Sequence, residues 1–396
     1  MTEVLSSAES DSGTAPRASS NIRHLCRTEL EGGGQIVIAG NYAYVGHQHR
    51  PHGTTILDIA DPRKPKVLST LTPGHPWSHS HKVRIVGDLM FVNSEFERGP
   101  GARREEYPDG GFRIYDVKDR ARPKLVTFVK TYGKGVHRFD VDETYAYIST
   151  EMEGFVGNIL VIYDIRNPSK PVEVSRWSME GQNVAGGDPP HPKGAEHRLH
   201  HAMRSGTEMY AGCWMSGIAI VDVSDIHSPR TLSRYEYDPP CPEPTHTFLK
   251  VPHAIGGKRI AVSTEEERTH RGPDAGKPHA PLRTWDVSDP ARPKLLCSYY
   301  LPESSTPYDA GKVRFGTHQL REKVDEDNLL YVTWFAGGLR IMDISDPSEP
   351  KERAYFIPKP GDGVAAPLTN DIFEDERGLL WVTDKERGLD VIEYEQ

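Results

Sequence analysis

The chain contains no run of about 18 apolar residues, so no segment is expected to span a membrane as a helix. Its opening stretch, MTEVLSSAESDSGTAPRASSN, has neither a basic start nor an apolar core and is no secretory signal. Only four cysteines occur, Cys26, Cys213, Cys241 and Cys297, and none forms a Cys-x-x-Cys pair. Together these absences predict reduced thiols in a cytoplasmic protein. No basic block exceeds pairs such as Arg103–Arg104, and the net charge is 48 − 57 = −9. Nucleic acid and anionic membrane surfaces are therefore not expected as main partners. A Walker loop, a Gly-x-Gly-x-x-Gly after a strand, Gly-x-Ser-x-Gly and His-Glu-x-x-His are all missing, which removes the common nucleotide, serine-hydrolase and zincin signatures. Apolar residues make up only 36%.

Turn formers and histidine are what the chain has in quantity. Glycine and proline number 36 and 32, and 68 of 396 is about 17%, against roughly 12% in average usage. That is too much punctuation for a helical bundle. One pattern recurs: an apolar residue, Asp, an apolar residue, a short turn, then Pro. It appears as LDIADPRKP (57–65), YDVKDRARP (115–123), YDIRNPSKP (163–171), VDVSDIHSP (221–229), WDVSDPARP (285–293) and MDISDPSEP (342–350), and is truncated as LDVIEY (389–394). Each copy follows an alternating apolar run and precedes another, with two short strands upstream. Four strands every 50 to 60 residues describe a propeller blade. The expected fold is all-β, a seven-bladed β-propeller. Residues 24–30 resemble the strand that follows each Pro and are expected to complete the last blade and close the ring. A disordered tail over 1–22 and a single domain over 23–396 complete the expected organisation. The aspartates Asp58, Asp116, Asp164, Asp222, Asp286 and Asp343 are expected as turn and interblade hydrogen-bonders.

The tandem pattern resembles the LVIVD-repeat family of seven-bladed propellers over nearly the whole chain after residue 22. The stretch beginning Trp334-Phe-Ala-Gly-Gly-Leu-Arg-Ile is also similar to a segment of the selenium-binding protein (methanethiol oxidase) family, whose propellers include copper-using oxidases.

Aligning the blades on their second strands places histidine at one inner position in five of seven: His81, His137, His201, His246 and His318. Blade 7 has Asn370 there, and blade 1 has Gly34 beside Gln35. The end of the second strand supplies Glu95, Glu151, Glu265 and Asp384 in blades 2, 3, 5 and 7, with Gln48, Met215 and Phe335 elsewhere. Imidazoles converging on an axis suit a metal, which needs them neutral, and a metal-bound imidazole commonly donates its other N–H to a carboxylate. The five histidines are therefore the expected metal ligands, and Glu95, Glu151, Glu265 and Asp384 the expected catalytic carboxylates. His47, His49, His79, His197, His200, Trp214, Trp334, Phe335 and Asn370 are expected around a substrate pocket. His270 and His279 fall in a charged insertion and are expected at the surface.

An all-nitrogen ligand set suits iron, copper, manganese or zinc rather than magnesium or calcium. The constellation also resembles that of the carotenoid cleavage oxygenases, in which four histidines hold ferrous iron and outer glutamates orient three of them. That resemblance implies Fe(II) and O2 chemistry. The leading expectation is thus an O2-activating, metal-dependent oxidoreductase acting on a small organic molecule, aromatic or otherwise. A metal-dependent hydrolase or lyase, with Asp384 or a loop histidine as base, is the alternative. A non-enzymatic propeller scaffold is the third reading. Monomer or small homo-oligomer is expected.

Overall fold

In the computed structural model the described residues are 15–238, 240–268 and 280–396. His270 and His279 lie outside them. Among the described residues the only helical segments are three-residue 3-10 turns, and no helix is long and apolar enough to cross a membrane.

Among the described residues the strands fall into seven antiparallel blades, six of them with a full set of four strands. Blade 3 is typical, running Val136–Val141, Tyr145–Glu151, Asn158–Asp164 and Val172–Trp177 in spatial order. In blade 6 the inner strand is reduced to a few backbone bonds, among them Arg321 N–H to the Tyr331 carbonyl at 2.8 Å and Thr333 N–H to the Gln319 carbonyl at 2.7 Å.

The repeat motif explains the outer rim. In all six full copies the aspartate carboxylate accepts the backbone N–H two residues on, as in Asp58 to Ala60 (2.9 Å) and Asp343 to Ser345 (2.8 Å). These local bonds turn the chain where proline forbids further ladder pairing. Neighbouring blades are stitched at the same turns. Ser69 donates to the Arg120 carbonyl, Ser175 to that of Ile226 and Ser233 to that of Pro290, at 2.6–2.7 Å.

The ends of the chain meet in blade 7. Ile22–Glu31 pairs antiparallel with Arg387–Tyr394. Leu25, Cys26 and Leu30 pack there against Leu379, Trp381, Leu389 and Val391. Cys26 Sγ reaches the Pro62 carbonyl of blade 1 at 3.2 Å, and Thr383 donates to Gly34 O at 2.9 Å. Order begins earlier than residue 23. Arg17–Ala18 adds an outer strand to blade 6, pairing with Phe356 and Ile357. Only 1–14 of the expected tail lie outside the described residues.

A candidate metal centre at one mouth of the channel

The first strands of blades 1, 3, 4, 5 and 7 each carry a register shift where they approach the axis, and blade 3 slips at His137, blade 5 at His246 and blade 7 at Asn370. A bulge adds a residue and re-aims its side chain. Consecutive imidazoles then pack against one another, tilted by 42–59°, around the channel mouth. Ring centroids are 4.2 Å apart for His79–His81, 5.2 Å for His81–His137, 4.7 Å for His137–His200, 4.2 Å for His200–His246 and 4.3 Å for His246–His318.

One expected ligand is replaced. His200 stands in the ring, and His201 does not. The His201 side chain is fully buried with neither ring nitrogen hydrogen-bonded, in the field of Arg138 and Arg84. The pairing shows why. His201 opposes Gly212, as Arg138 opposes Ser149, so the equivalent of His137 is the residue before it.

The same register corrects two carboxylates. Asn93, Ser149, Thr264, Thr333 and Thr383 each donate to a carbonyl at or beside the inner residue of the next blade. At the matching places Gly46 and Gly212 lie so close to the backbones of His81 and His246 that a Cβ would clash. Two residues further on stand Gln48, Glu95, Glu151, Trp214, Glu266, Phe335 and Lys385. Glu266, not Glu265, is therefore the blade 5 member, and Lys385, not Asp384, the blade 7 member. Glu265 turns away, paired with the Arg283 guanidinium and accepting from Tyr237 Oη at 2.8 Å. Asp384 accepts the backbone N–H groups of Leu368, Glu386 and Arg387, and burial pushes its pKa up to about 6. Glu151 reaches the mouth but is held by Arg104 at 2.6–2.7 Å and by Lys134 N–H. Only Glu95 bonds imidazoles. It accepts from His137 of the next blade at 2.8 Å and from His79 at 3.0 Å, rather than from His81 of its own blade.

Four rings are set in one tautomer. His137 Nδ1–H donates to Glu95, His200 Nδ1–H to the His246 carbonyl at 2.6 Å, and His318 Nδ1–H to the Asn370 carbonyl at 2.7 Å. His246 Nδ1–H donates to Thr247 Oγ1 at 2.8 Å, whose own proton goes to Gln319. Each Nε2 is left with a lone pair. The Nε2 atoms of His137 and His200 face each other at 2.9 Å. His81 is set the other way, because the Asn93 amide donates to its Nδ1 at 3.3 Å. Ligand atoms of His200, His246 and Glu266, and of His79, His81 and Glu95, form two groups within 4.8 Å.

Burial favours the neutral form of five of the rings. Burial holds His81, His200, His246 and His318 well below the usual imidazole range. It lowers His137 less, because Glu95 opposes it. Burial also raises Glu95, but His137 and His79 outweigh it and hold the carboxyl well below the usual range. At Glu266 burial is outweighed by His318, Arg314 and Lys385, giving about 2.

Several expected pocket residues lie elsewhere. His47 is buried in blade 1 with both nitrogens engaged, by the Glu31 carbonyl and Thr55. His197 is likewise spent on Ser216 and the Glu180 carbonyl. Trp334 belongs to the core between blades 5 and 6. His49 is half-exposed in a side cavity with Arg50 and Glu386. Trp214 and Phe335 do cover the ring, stacking on His200 at 5.0 Å and His318 at 4.9 Å. Both hold left-handed backbones, φ 52° and 43°, an unfavourable state for bulky residues. Asn370 contributes its carbonyl to His318 and its amide to Gly33.

Beneath the ring the channel is crossed by charge. Glu322 of blade 6 binds Arg138 of blade 3 at 2.7 Å and also Arg84 of blade 2. The mouth is thus a closed-bottomed bowl.

The fold and the bowl define a propeller with a histidine-lined axial site. Residues 33–72, 136–178 and 326–356, which fall in blades 1, 3 and 6, match the LVIVD repeat family model. No curated protein matches the chain. Among solved structures, Saccharomyces cerevisiae Sqt1 is similar with a TM-score of 0.57 at 8% identity. The computationally designed Ika8 protein is similar with a TM-score of 0.53 at 10% identity. Each alignment covers 94% of this chain and 99% of the other, and the likeness is one of fold.

Proposed function

We propose that the protein is a metal-dependent enzyme whose ion is held by His137, His200, His246 and His318 at the channel mouth. The observation that carries this reading is the 2.9 Å approach of the His137 and His200 Nε2 atoms. With both Nδ1–H groups already donated, two lone pairs point at each other. A cation between them turns that repulsion into ligation, and neutral imidazoles are the form a metal requires. Glu95 behind His137, two backbone carbonyls and Thr247 orient the rings, as outer partners of metal-bound imidazoles do.

Fe(II) is the ion we favour, with copper, manganese or zinc as alternatives, and the reaction is oxidation of a small organic molecule with O2. A nitrogen-rich shell leaves positions for O2 and substrate and would supply redox chemistry. The likeness to the four-histidine centre of carotenoid cleavage oxygenases supports this in part. Here carbonyls and a hydroxyl take over from two of the expected glutamates.

Metal analysis of the purified protein tests the proposal. About one equivalent of a transition metal is expected, lost in His200→Ala and retained in His201→Ala. Loss in neither variant, or a metal-free wild type that takes up none on reconstitution, overturns it. Oxygen consumption then separates oxidase from hydrolase. Turnover under strict anaerobiosis with zinc as the competent ion would establish the hydrolytic alternative.

A further inference from the structure

Two sandwiches of like design flank the histidine ring. In blade 6 the Arg314 guanidinium lies 3.8 Å over Phe335, which covers His318. In blade 4 the Arg198 guanidinium lies 4.1 Å over Trp214, which covers His200. The aromatic residues occupy equivalent strand ends and share the left-handed backbone. The two arginines differ in what they bond. Arg314 is spent on Glu266 and Glu267 at 3.1–3.2 Å. Among the described residues Arg198 has no hydrogen bond and no ion pair within contact distance: its face rests on Trp214, and Glu95, Glu196 and Glu266 act on it only through space.

Arg198 opens into a cavity of about 280 Å³ that His137, Lys134, Glu95, Glu151, Glu196 and Trp214 help to line. The carboxylates of its walls have other bonded partners: Glu151 pairs with Arg104, Glu196 with Arg268 and the Trp214 indole N–H, and Glu95 accepts from two imidazoles. None of them bonds Arg198. A guanidinium stacked by its face keeps its in-plane N–H groups for a ligand, and that planar fork matches a carboxylate. The guanidinium is half-buried and makes no ion pair, so its charge is held partly out of water without a bonded counter-ion. An anion would relieve that cost. The volume is near the lower end, about 300 Å³, of ligand cavities, which suits a small molecule and not a polymer.

We propose that Arg198 is the anchor for the carboxylate of a small organic acid, held against Trp214 with its remainder directed at the His137–His200 edge of the ring. This rests on the proposed metal-enzyme reading for its role in turnover, but not for binding itself.

Calorimetric titration tests it with acetate, succinate, benzoate and phenylacetate, against benzamide and phenylacetamide as neutral matches and inorganic phosphate as a second anion. Wild type and Arg198→Gln are compared, each with and without reconstituted metal, with metal content measured in parallel. At least one carboxylate is expected to bind wild type and to weaken on the order of tenfold or more in Arg198→Gln, with metal content unchanged. Arg198→Lys should recover part of the affinity. No carboxylate bound, amides bound equally well, phosphate bound in preference, or affinity unchanged in Arg198→Gln would each overturn the proposal. Carboxylate binding that depends on Arg198 in a protein that takes up no metal would sustain it while refuting the metal reading.

Discussion

At the scale of single residues, the Nδ1–H groups of His137, His200, His246 and His318 each have a designated acceptor. Glu95 is the one carboxylate among these acceptors, so its replacement isolates the effect of orientation. Glu95→Gln should lower metal affinity by roughly 10–100-fold, the usual cost of losing such a partner. Glu265→Gln should leave metal affinity unchanged while lowering the melting temperature, because it strips Arg283 of its buried partner. Competition with a chelator and thermal melts distinguish the two. The same rings make the metal-free protein acid-sensitive. His81, His200, His246 and His318 have folded pKa values well below the unfolded value of 6.5. Their contribution to stability is therefore fully present above about 6.5 and is lost as the pH falls towards the folded values, because the unfolded chain binds protons that the fold refuses. Each adds about 1.4 kcal/mol per pH unit. Denaturation of chelator-treated protein between pH 7 and 5 should show a falling midpoint with a slope of at least four protons, because His47, His197 and His201 are depressed by burial in the same way. A flat profile would mean that the rings accept protons without unfolding.

At the scale of elements, the bulged inner strand and the sewn-on N-terminal strand carry the design. Fourteen residues separate His81 from Glu95 and His137 from Glu151, a spacing that blades 5, 6 and 7 do not keep. The same count from His200 gives Trp214, but it is the pairing of His201 with Gly212 that shows this count, and not one from His201, to be in register. In blade 7 the turn is one residue longer, and counting lands on Asp384 in place of Lys385. The small or hydroxyl-bearing residue two places earlier, Gly46, Asn93, Ser149, Gly212, Thr264, Thr333 or Thr383, is the sequence signal that restores the register. The strand Ile22–Glu31 covers the open edge of blade 7 and buries Leu30. A chain beginning at residue 32 should expose that edge, lose cooperative thermal unfolding and aggregate on size-exclusion chromatography. Retention of a monodisperse peak with an unchanged melting temperature would show that the strand is dispensable.

At the scale of the whole molecule, the ring of blades brings residues distant in sequence to one axis. Glu322 joins arginines from two blades across the channel, an arrangement no local pattern encodes. Arg138 is fully buried, so removing its partner strands a charge in a place water reaches poorly. Glu322→Ala should cost about 3 kcal/mol by chemical denaturation, whereas a paired change of Glu322 and Arg138 to neutral residues should cost less than the sum of the single changes.

Repetition is what made this protein readable. Each blade restates the same turn, so the Asp-Pro-x-x-Pro rhythm determined the β-propeller, the number of blades and the concentration of histidine at one level of the channel, since these follow from local hydrogen bonds and strand period. The identity of the facing atoms did not follow. Whether His200 or His201 meets the axis, and whether Glu265 or Glu266 accompanies it, depends on one extra residue in a bulge, and a shift of one residue moves a side chain to the opposite face. The lone-pair contact between His137 and His200 and the unspent guanidinium of Arg198 were decided only in the tertiary structure, where four blades supply the partners that each of those groups has or lacks.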